Sequence, residues 1–367
     1  MSTLYLGVMS GTSLDGVDAV LIDFAKGMHV LGHAHRPYPN TLRASFASLN
    51  QTGDHELHRA ALAGNALAKL YALTCQDLLT RLGLDASHIA ALGAHGQTVR
   101  HQPAQHDGVG YSWQIINPSL LAELTHIRVV ADFRSRDIAA GGQGAPLVPA
   151  FHQHVFGEAH QPVAVLNLGG MSNLSLLRPG SLTGFDCGPG NVLLDLWCQQ
   201  HTGEAFDRDG EWAAQGKVNP ALLQALLSEA FFQQPPPKST GRDVFDAAWL
   251  NKHLRPFGTM HPQDVQATLT ALTAKVCADA LQQHAPDVQK LWVCGGGAYN
   301  QSLMASLQMH LPGIDVASSE AAGMPPLQVE AAAFAWLAKQ TCDGLPGNVP
   351  QATGARGPRV LGAIYPA

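Results

Sequence analysis

Residues 4–22 place the tightest limit on what this chain can fold into. Leu4-Tyr5-Leu6-Gly7-Val8-Met9 and Val17-Asp18-Ala19-Val20-Leu21-Ile22 are apolar β-type runs. Between them lies Ser10-Gly11-Thr12-Ser13-Leu14-Asp15-Gly16. The pattern predicts strand, turn, strand. Small turn residues leave backbone N–H groups and hydroxyls uncovered, so the turn can wrap an anion such as phosphate. It is not a Walker loop, because no Gly-Lys-Ser/Thr follows and a strand comes next where a helix is needed. The alternative is an ordinary tight hairpin, since Gly-rich hairpins are common.

The pattern recurs. Val163-Ala164-Val165-Leu166-Asn167-Leu168-Gly169-Gly170-Met171-Ser172-Asn173-Leu174-Ser175-Leu176-Leu177 is again strand, small-residue turn, strand. A third cluster, Gly295-Gly296-Gly297-Ala298-Tyr299-Asn300, ends the apolar run Leu291-Trp292-Val293-Cys294 and precedes a helical stretch at 301–311. Three Gly-rich turns at strand ends point to a nucleotide held between two similar halves. The first two turns would grip phosphates and the third would lie against adenosine.

Elsewhere the spacing of apolar residues predicts helices at 55–83, 118–124, 192–201, 262–284 and 329–339, with short strands at 89–94, 112–116 and 129–131. Strands alternating with helices mean an α/β chain. The expected layout is bilobal, with the ligand in the cleft between lobes. Residues 1–135 form an N-terminal lobe and 136–349 a C-terminal lobe, with a tail at about 350–367 packing back on the first.

The 367-residue length suits two domains. A net charge of −6 argues against a nucleic-acid partner, whose footprint would be basic. No apolar run reaches the ~18 residues of a membrane span, and the N-terminus lacks a signal-peptide pattern, so a cytoplasmic protein is expected. The six cysteines are scattered singly, which favours core packing over a zinc or redox site.

Asp186 follows Phe185 at a strand end and precedes Gly188-Pro189-Gly190-Asn191, where a carboxylate can act as a general base. Its other reading is a cap for the helix that starts near Asn191. Asp15 and Asp18 are candidates to hold Mg²⁺ through water, or else a turn residue and a strand residue. His95, Gln97 and Thr98 end a short apolar strand and suit a hydroxyl-rich ligand. Arg134 and Arg136 can clamp a substrate carboxylate or pair with Asp132 and Asp137. Glu330 opens the last helix, where it either accepts from sugar hydroxyls or favours the helix dipole.

Together these segments resemble the 1,6-anhydro-N-acetylmuramic acid kinase family. The resemblance rests on Met9-Ser10-Gly11-Thr12-Ser13-Leu14-Asp15-Gly16-Val17-Asp18, Ala94-His95-Gly96-Gln97-Thr98, Asp132-Phe133-Arg134, Gly141-Gly142-Gln143-Gly144-Ala145-Pro146-Leu147, Asn167-Leu168-Gly169-Gly170, Gly184-Phe185-Asp186-Cys187-Gly188-Pro189-Gly190-Asn191, Cys294-Gly295-Gly296-Gly297 and the closing Leu361-Gly362-Ala363-Ile364-Tyr365-Pro366. It implies two ribonuclease H-like lobes of the actin, sugar kinase and Hsp70 type, closing over ATP with Mg²⁺.

The implied nucleotide contacts are Gly11, Thr12, Ser13, Leu14, Asp15, Gly16, Val17, Asp18, Gly169, Gly170, Gly188, Gly190, Asn191, Gly295, Gly296, Gly297 and Asn300. The implied sugar contacts are His95, Gln97, Thr98, Arg134, Asn167 and Glu330, with Asp186 as base. The implied substrate is a small anhydro-sugar from peptidoglycan turnover, handled in the cytoplasm by a homodimer. Two rivals are a kinase acting on a free sugar hydroxyl and an ATP-driven binding protein with an actin-type core. The segment Lys238-Ser239-Thr240-Gly241-Arg242 is left without a role.

Overall fold

The computed structural model describes residues 2–241 and 244–367. Arg242, in the 238–242 segment, lies outside them. Thirteen strands are found among the described residues: β1 (Leu4–Met9), β2 (Gly16–Asp23), β3 (His29–Pro37), β4 (Ile89–Ala94), β5 (Gln97–Pro103), β6 (Gly110–Ile115), β7 (Val129–Ala131), β8 (Val163–Leu168), β9 (Met171–Arg178), β10 (Ser181–Pro189), β11 (Lys290–Cys294), β12 (Asp315–Ser318) and β13 (Ala363–Tyr365). The chain forms two compact units, Met1–Phe151 with Leu327–Ala367, and His152–Pro326.

The first unit carries a sheet of order β13-β7-β4-β1-β2-β3. β1, β2 and β3 form an antiparallel meander, and β4 and β7 run parallel to β1. The second unit carries β10-β9-β8-β11-β12. There β8, β9 and β10 are the meander, and β11 and β12 run parallel to β8. Each unit therefore has an antiparallel meander whose first strand is central, extended on its free side by parallel strands. That is the ribonuclease H-like order, and the chain is α/β of the actin, sugar kinase and Hsp70 type.

Sequence explains why the central strands are central. β8 (VAVLNL) is buried at every position, as a strand covered on both faces must be. Its apolar side chains join helix Pro262–His284 in one core through Leu166, Leu269 and Leu272. In the first unit, helix Glu56–Leu82 sets Leu67, Tyr71, Cys75 and Leu78 on one buried stripe. It ends on Gly83 in the left-handed region, whose N–H reaches the Leu79 and Thr80 carbonyls.

Helix Val329–Cys342 packs on β1 and β4. Its run Ala331-Ala332-Ala333-Phe334-Ala335 is apolar all round and buried all round. The approach needs glycine on the sheet: a Cβ on Gly7 would overlap the Ala331 carbonyl, and one on Gly93 the Phe334 carbonyl. This helix falls inside the 136–349 lobe expected from sequence, yet it belongs to the first unit, because its partners are those two strands. The division falls after 151 and 326, not after 135 and 349. The tail of the chain also joins this unit, where β13 pairs antiparallel with β7.

Candidate active site

The first turn is braced from below. Leu14, itself buried at φ 58°, donates its N–H to the Gly11 carbonyl (3.3 Å). Gln97 donates to the same carbonyl (3.1 Å), and Tyr38 O–H donates to Gln97 Oε1 (2.8 Å). Arg43 Nε donates to the Leu14 carbonyl (2.9 Å), and Ser10 Oγ to the Gly96 carbonyl (3.0 Å). Gln97 was expected to face a ligand. It is fully buried with both ends of its amide engaged, so its work in this unit is to hold the turn. Val17 is likewise a buried strand residue. Above the turn there is room: a Cβ on Gly11 would meet nothing nearer than Ser13 Oγ at 3.5 Å.

The two aspartates separate. Asp15 Oδ1 accepts from Ser13 Oγ (2.8 Å) and the Gly16 amide (2.9 Å). Asp18 Oδ1 faces His33 Nε2 (2.8 Å) and His35 Nδ1 (3.1 Å) on β3. Burial pushes the Asp18 carboxyl up, but hydrogen bonds and charge from the two imidazoles outweigh it, and the net shift is downward. The same contact raises His35. Mg²⁺ needs only one or two carboxylates beside phosphate oxygens. Asp15, at an exposed turn, fits that role; Asp18 is committed to two histidines. Among the described residues no three or more His, Cys, Asp or Glu side chains cluster to hold a metal.

His95, Arg134 and Phe334 form a second group in the first unit. His95 Nδ1 lies 3.3 Å from the Ser10 carbonyl, and Arg134 Nη2 lies 2.8 Å from His95 Nε2. Arg134 can only donate, so His95 is neutral, with its proton on Nδ1. Burial and then the Arg134 charge drop its pKa to about 3. The ring packs on Phe334 at 4.7 Å. Glu330 sits one helical turn before Phe334, on the same side of helix Val329–Cys342.

Arg134 Nη1 donates to the Gly144 carbonyl (2.7 Å), and the ion pairs of the described residues do not join Arg134 or Arg136 to Asp132 or Asp137. Asp137 is instead fully buried. Its carboxylate accepts from the Gly144 amide (2.8 Å), Asn348 Nδ2 (2.7 Å) and Thr353 Oγ1 (2.8 Å). Thr98 Oγ1 accepts from Gln114, in a polar row with Ser112 and His101. Burial, then Arg134, lowers His101 to about 4. Tyr38, Asn348 and Thr353 carry no local signal, because their partners lie far along the chain, and His101 meets Ser112 across the β5–β6 hairpin.

In the second unit three Gly-rich segments meet. The amides of Gly190 and Asn191 donate to the carbonyls of Gly170 (2.9 Å) and Gly169 (2.8 Å). Asn191 Nδ2 donates to the Leu168 carbonyl (3.0 Å), and Ser172 Oγ to the Gly188 carbonyl (3.0 Å). Gly295, at φ 80°, lies so close that a Cβ would come 2.5 Å from Asn167 Oδ1 and 2.7 Å from the Leu168 backbone. Cys294 Sγ contacts the same Asn167 oxygen (3.7 Å). Segments 167–170, 188–191 and 295–297 are thus one surface. Asn300, at the end of the third segment, caps helix Gln301–His310 by accepting the Leu303 amide at its Oδ1 (2.9 Å).

Asp186 lies on β10 next to that surface. The register of β10 on β9 shifts between Asp186 and Gly188, which makes Cys187 an extra residue and turns the strand locally. Asp186 is 7% exposed. Its N–H donates to the Lys238 carbonyl (3.0 Å), and its Oδ2 accepts the Thr240 amide (2.9 Å). The segment left unexplained by sequence is therefore what holds the candidate base.

A family described as anhydro-N-acetylmuramic acid kinase matches residues 3–367. The chain belongs to that family. It is 61% identical over 371 residues to the anhydro-N-acetylmuramic acid kinase of Variovorax paradoxus, covering 99% of each chain. It is 55% identical over 390 residues to that of Albidiferax ferrireducens, covering all of both. This kinase is therefore a phosphotransferase. Among solved structures it is similar to component A of the Acidaminococcus fermentans (R)-2-hydroxyglutaryl-CoA dehydratase, at 12% identity and TM-score 0.47, covering 91% and 96% of the two chains. Among the described residues no helix is long and apolar enough to cross a membrane.

Proposed function

We propose that this kinase opens the 1,6-anhydro ring of 1,6-anhydro-N-acetylmuramic acid with water and transfers the γ-phosphoryl group of ATP to O6. The products are N-acetylmuramic acid 6-phosphate and ADP. The observation that carries the reading is Asp186: a buried carboxylate on a bulged strand end, beside the surface of segments 167–170, 188–191 and 295–297.

In the anhydro-sugar O6 is bonded to C1 and has no proton for a base to remove. Asp186 instead takes a proton from water as the water oxygen bonds to C1. The C1–O6 bond breaks with its electron pair on O6. O6 then bonds to the γ-phosphorus, and the bond from that phosphorus to the β–γ bridging oxygen breaks to release ADP. Phosphorus takes the place of the general acid that a glycosidase directs at its leaving oxygen, so one carboxylate suffices.

The turns at 10–16 and 169–170 would hold phosphates through backbone N–H groups. The segment 295–297 would lie at adenosine. Arg134, kept in place by neutral His95, suits the lactyl carboxylate, with Thr98, Asn167 and Glu330 on sugar hydroxyls. Mg²⁺ bound with the nucleotide would neutralise phosphate charge, and Asp15 is the residue that would hold it through water. The setting we infer is cell-wall recycling in the cytoplasm, by a homodimer; both inferences lean on the family likeness.

The test is turnover of the anhydro-sugar with ATP and Mg²⁺ in ¹⁸O-labelled water, read by mass spectrometry. One ¹⁸O at C1 of a phosphorylated product is the expected result. A phosphorylated product without ¹⁸O would mean transfer to a free hydroxyl and would end the ring-opening reading. Asp186→Asn is expected to lower kcat by about 10³-fold or more while ATP binding, read by calorimetry, stays near wild type. Wild-type turnover in that variant would remove Asp186 from the mechanism.

A further inference from the structure

Lys238 is the one buried lysine among the described residues, at 6% exposure. Its ammonium donates to the carbonyls of Phe231 (3.2 Å) and Phe232 (3.3 Å), and lies over the rings of Phe231 (4.8 Å) and Phe185 (6.0 Å). Phe231 belongs to the aromatic cluster with Phe232, Phe245 and Trp249. An apolar side chain would fill such a pocket without desolvating a cation, so a lysine here is costly unless its charge or its donors are used.

Both ends of this residue point to the candidate base. Its backbone carbonyl takes the Asp186 N–H, and two residues on, the Thr240 N–H meets Asp186 Oδ2. Its side chain ties the same loop to the 231–232 carbonyls, in the aromatic cluster. Burial lowers the ammonium's pKa, while the negative charge of Asp186 and the Cys187 thiol work against that fall. The lysine and the carboxylate therefore feel each other's charge without sharing a hydrogen bond among those seen.

We propose that Lys238 is a positioning residue for Asp186: it anchors the 238–240 loop so that the Thr240 amide stays on Asp186 Oδ2, and its charge keeps that carboxylate ionised. The proposal rests on the reading of Asp186 as the base.

The test uses the full-length Lys238→Met and Lys238→Arg variants, with kcat and KM measured across pH after folding is checked by circular dichroism. In Lys238→Met, kcat is expected to fall about a hundredfold, as for a reacting group displaced by about an ångström. KM for ATP and for the sugar should stay within about threefold. The acid limb of the kcat profile should move up by about one pH unit, because a carboxyl that loses a cationic neighbour holds its proton more tightly. Lys238→Arg, which keeps the charge, should leave the limb at its wild-type position.

Wild-type kcat and an unmoved limb in Lys238→Met would overturn the proposal. So would a loss of kcat with the limb unmoved, the mark of a merely structural role. If the Met variant does not fold, the Arg variant decides: a limb at the wild-type pH supports the proposal and a shifted one overturns it. Asp186→Asn separates the two claims. Loss of turnover there, with wild-type behaviour in Lys238→Met, removes the role of Lys238 alone. Retained turnover in Asp186→Asn removes the base reading beneath it.

Discussion

Asp137 illustrates how the neighbours of a charged residue in sequence differ from its partners in the fold. In sequence it stands beside Arg136 and near Arg134, and an ion pair was one of two readings. In the fold it is fully buried and accepts three hydrogen bonds from neutral donors, one from the Gly144 amide. Gly144 in turn offers its carbonyl to Arg134, and Arg134 reaches His95. Asp137→Ala strands three buried donors, and the expected loss is about 3 kcal/mol in urea unfolding. A loss below about 1 kcal/mol would mean the donors find water or other partners. Charge at the residue scale also sets a pH dependence. His35 is raised above its ordinary 6.5, so its contribution is full below that pH and fades as pH rises through its folded value. Asp18 is lowered below 3.8, so its contribution is present above that pH and fades as pH falls through its folded value. The pair therefore stabilises most between about pH 4 and 6.5. Melting temperatures of wild type and Asp18→Asn should differ most near pH 5 and converge toward pH 8; a gap independent of pH would rule out the ionic coupling.

At the scale of elements, legibility followed periodicity. Helix Pro262–His284 and helix Glu56–Leu82 stand where the apolar spacing puts them, and so do the two strand–turn–strand units. β3 was not read, because His29-Val30-Leu31-Gly32-His33-Ala34-His35 has one covered face and four polar or glycine positions, a weak strand signal on its own. Helix Val329–Cys342 was read as a helix but placed with the wrong partners, since an all-round apolar surface carries no information about which sheet it meets. The partner is encoded instead by Gly7 and Gly93. Gly7→Ala and Gly93→Ala drive a methyl into the Ala331 and Phe334 carbonyls, so each should cost about 3 kcal/mol. Gly11→Ala is the contrast, because its methyl makes only ordinary contact, 3.5 Å from Ser13 Oγ. Its stability should change by no more than about 0.5 kcal/mol. If that turn wraps phosphate, its KM for ATP should nonetheless rise several-fold; an unchanged KM would argue that the turn is only a hairpin.

At the scale of the molecule, the two sheets share one strand order, while the chain treats them differently. The second unit, His152–Pro326, is one continuous segment with its own core around Leu166, Phe185, Trp249 and Leu272. The first is discontinuous, and needs residues 327–367 to cover β1 and β4 and to supply β13. Without helix Val329–Cys342, Gly7 and Gly93 face no partner and the apolar strands around them are left uncovered on that side. Synthesis from the N-terminus therefore makes β1 to β7 early and the closing helix and β13 last. A fragment of residues 152–326 should unfold cooperatively on heating, as a segment with a complete core does. A fragment of residues 1–151 should lack a cooperative transition and bind a hydrophobic dye. Adding residues 327–367 in trans, as a separately made peptide, should restore a transition to it if the helix is the missing layer. A cooperative melt of 1–151 alone would show that the sheet and helix Glu56–Leu82 suffice without the returning helix.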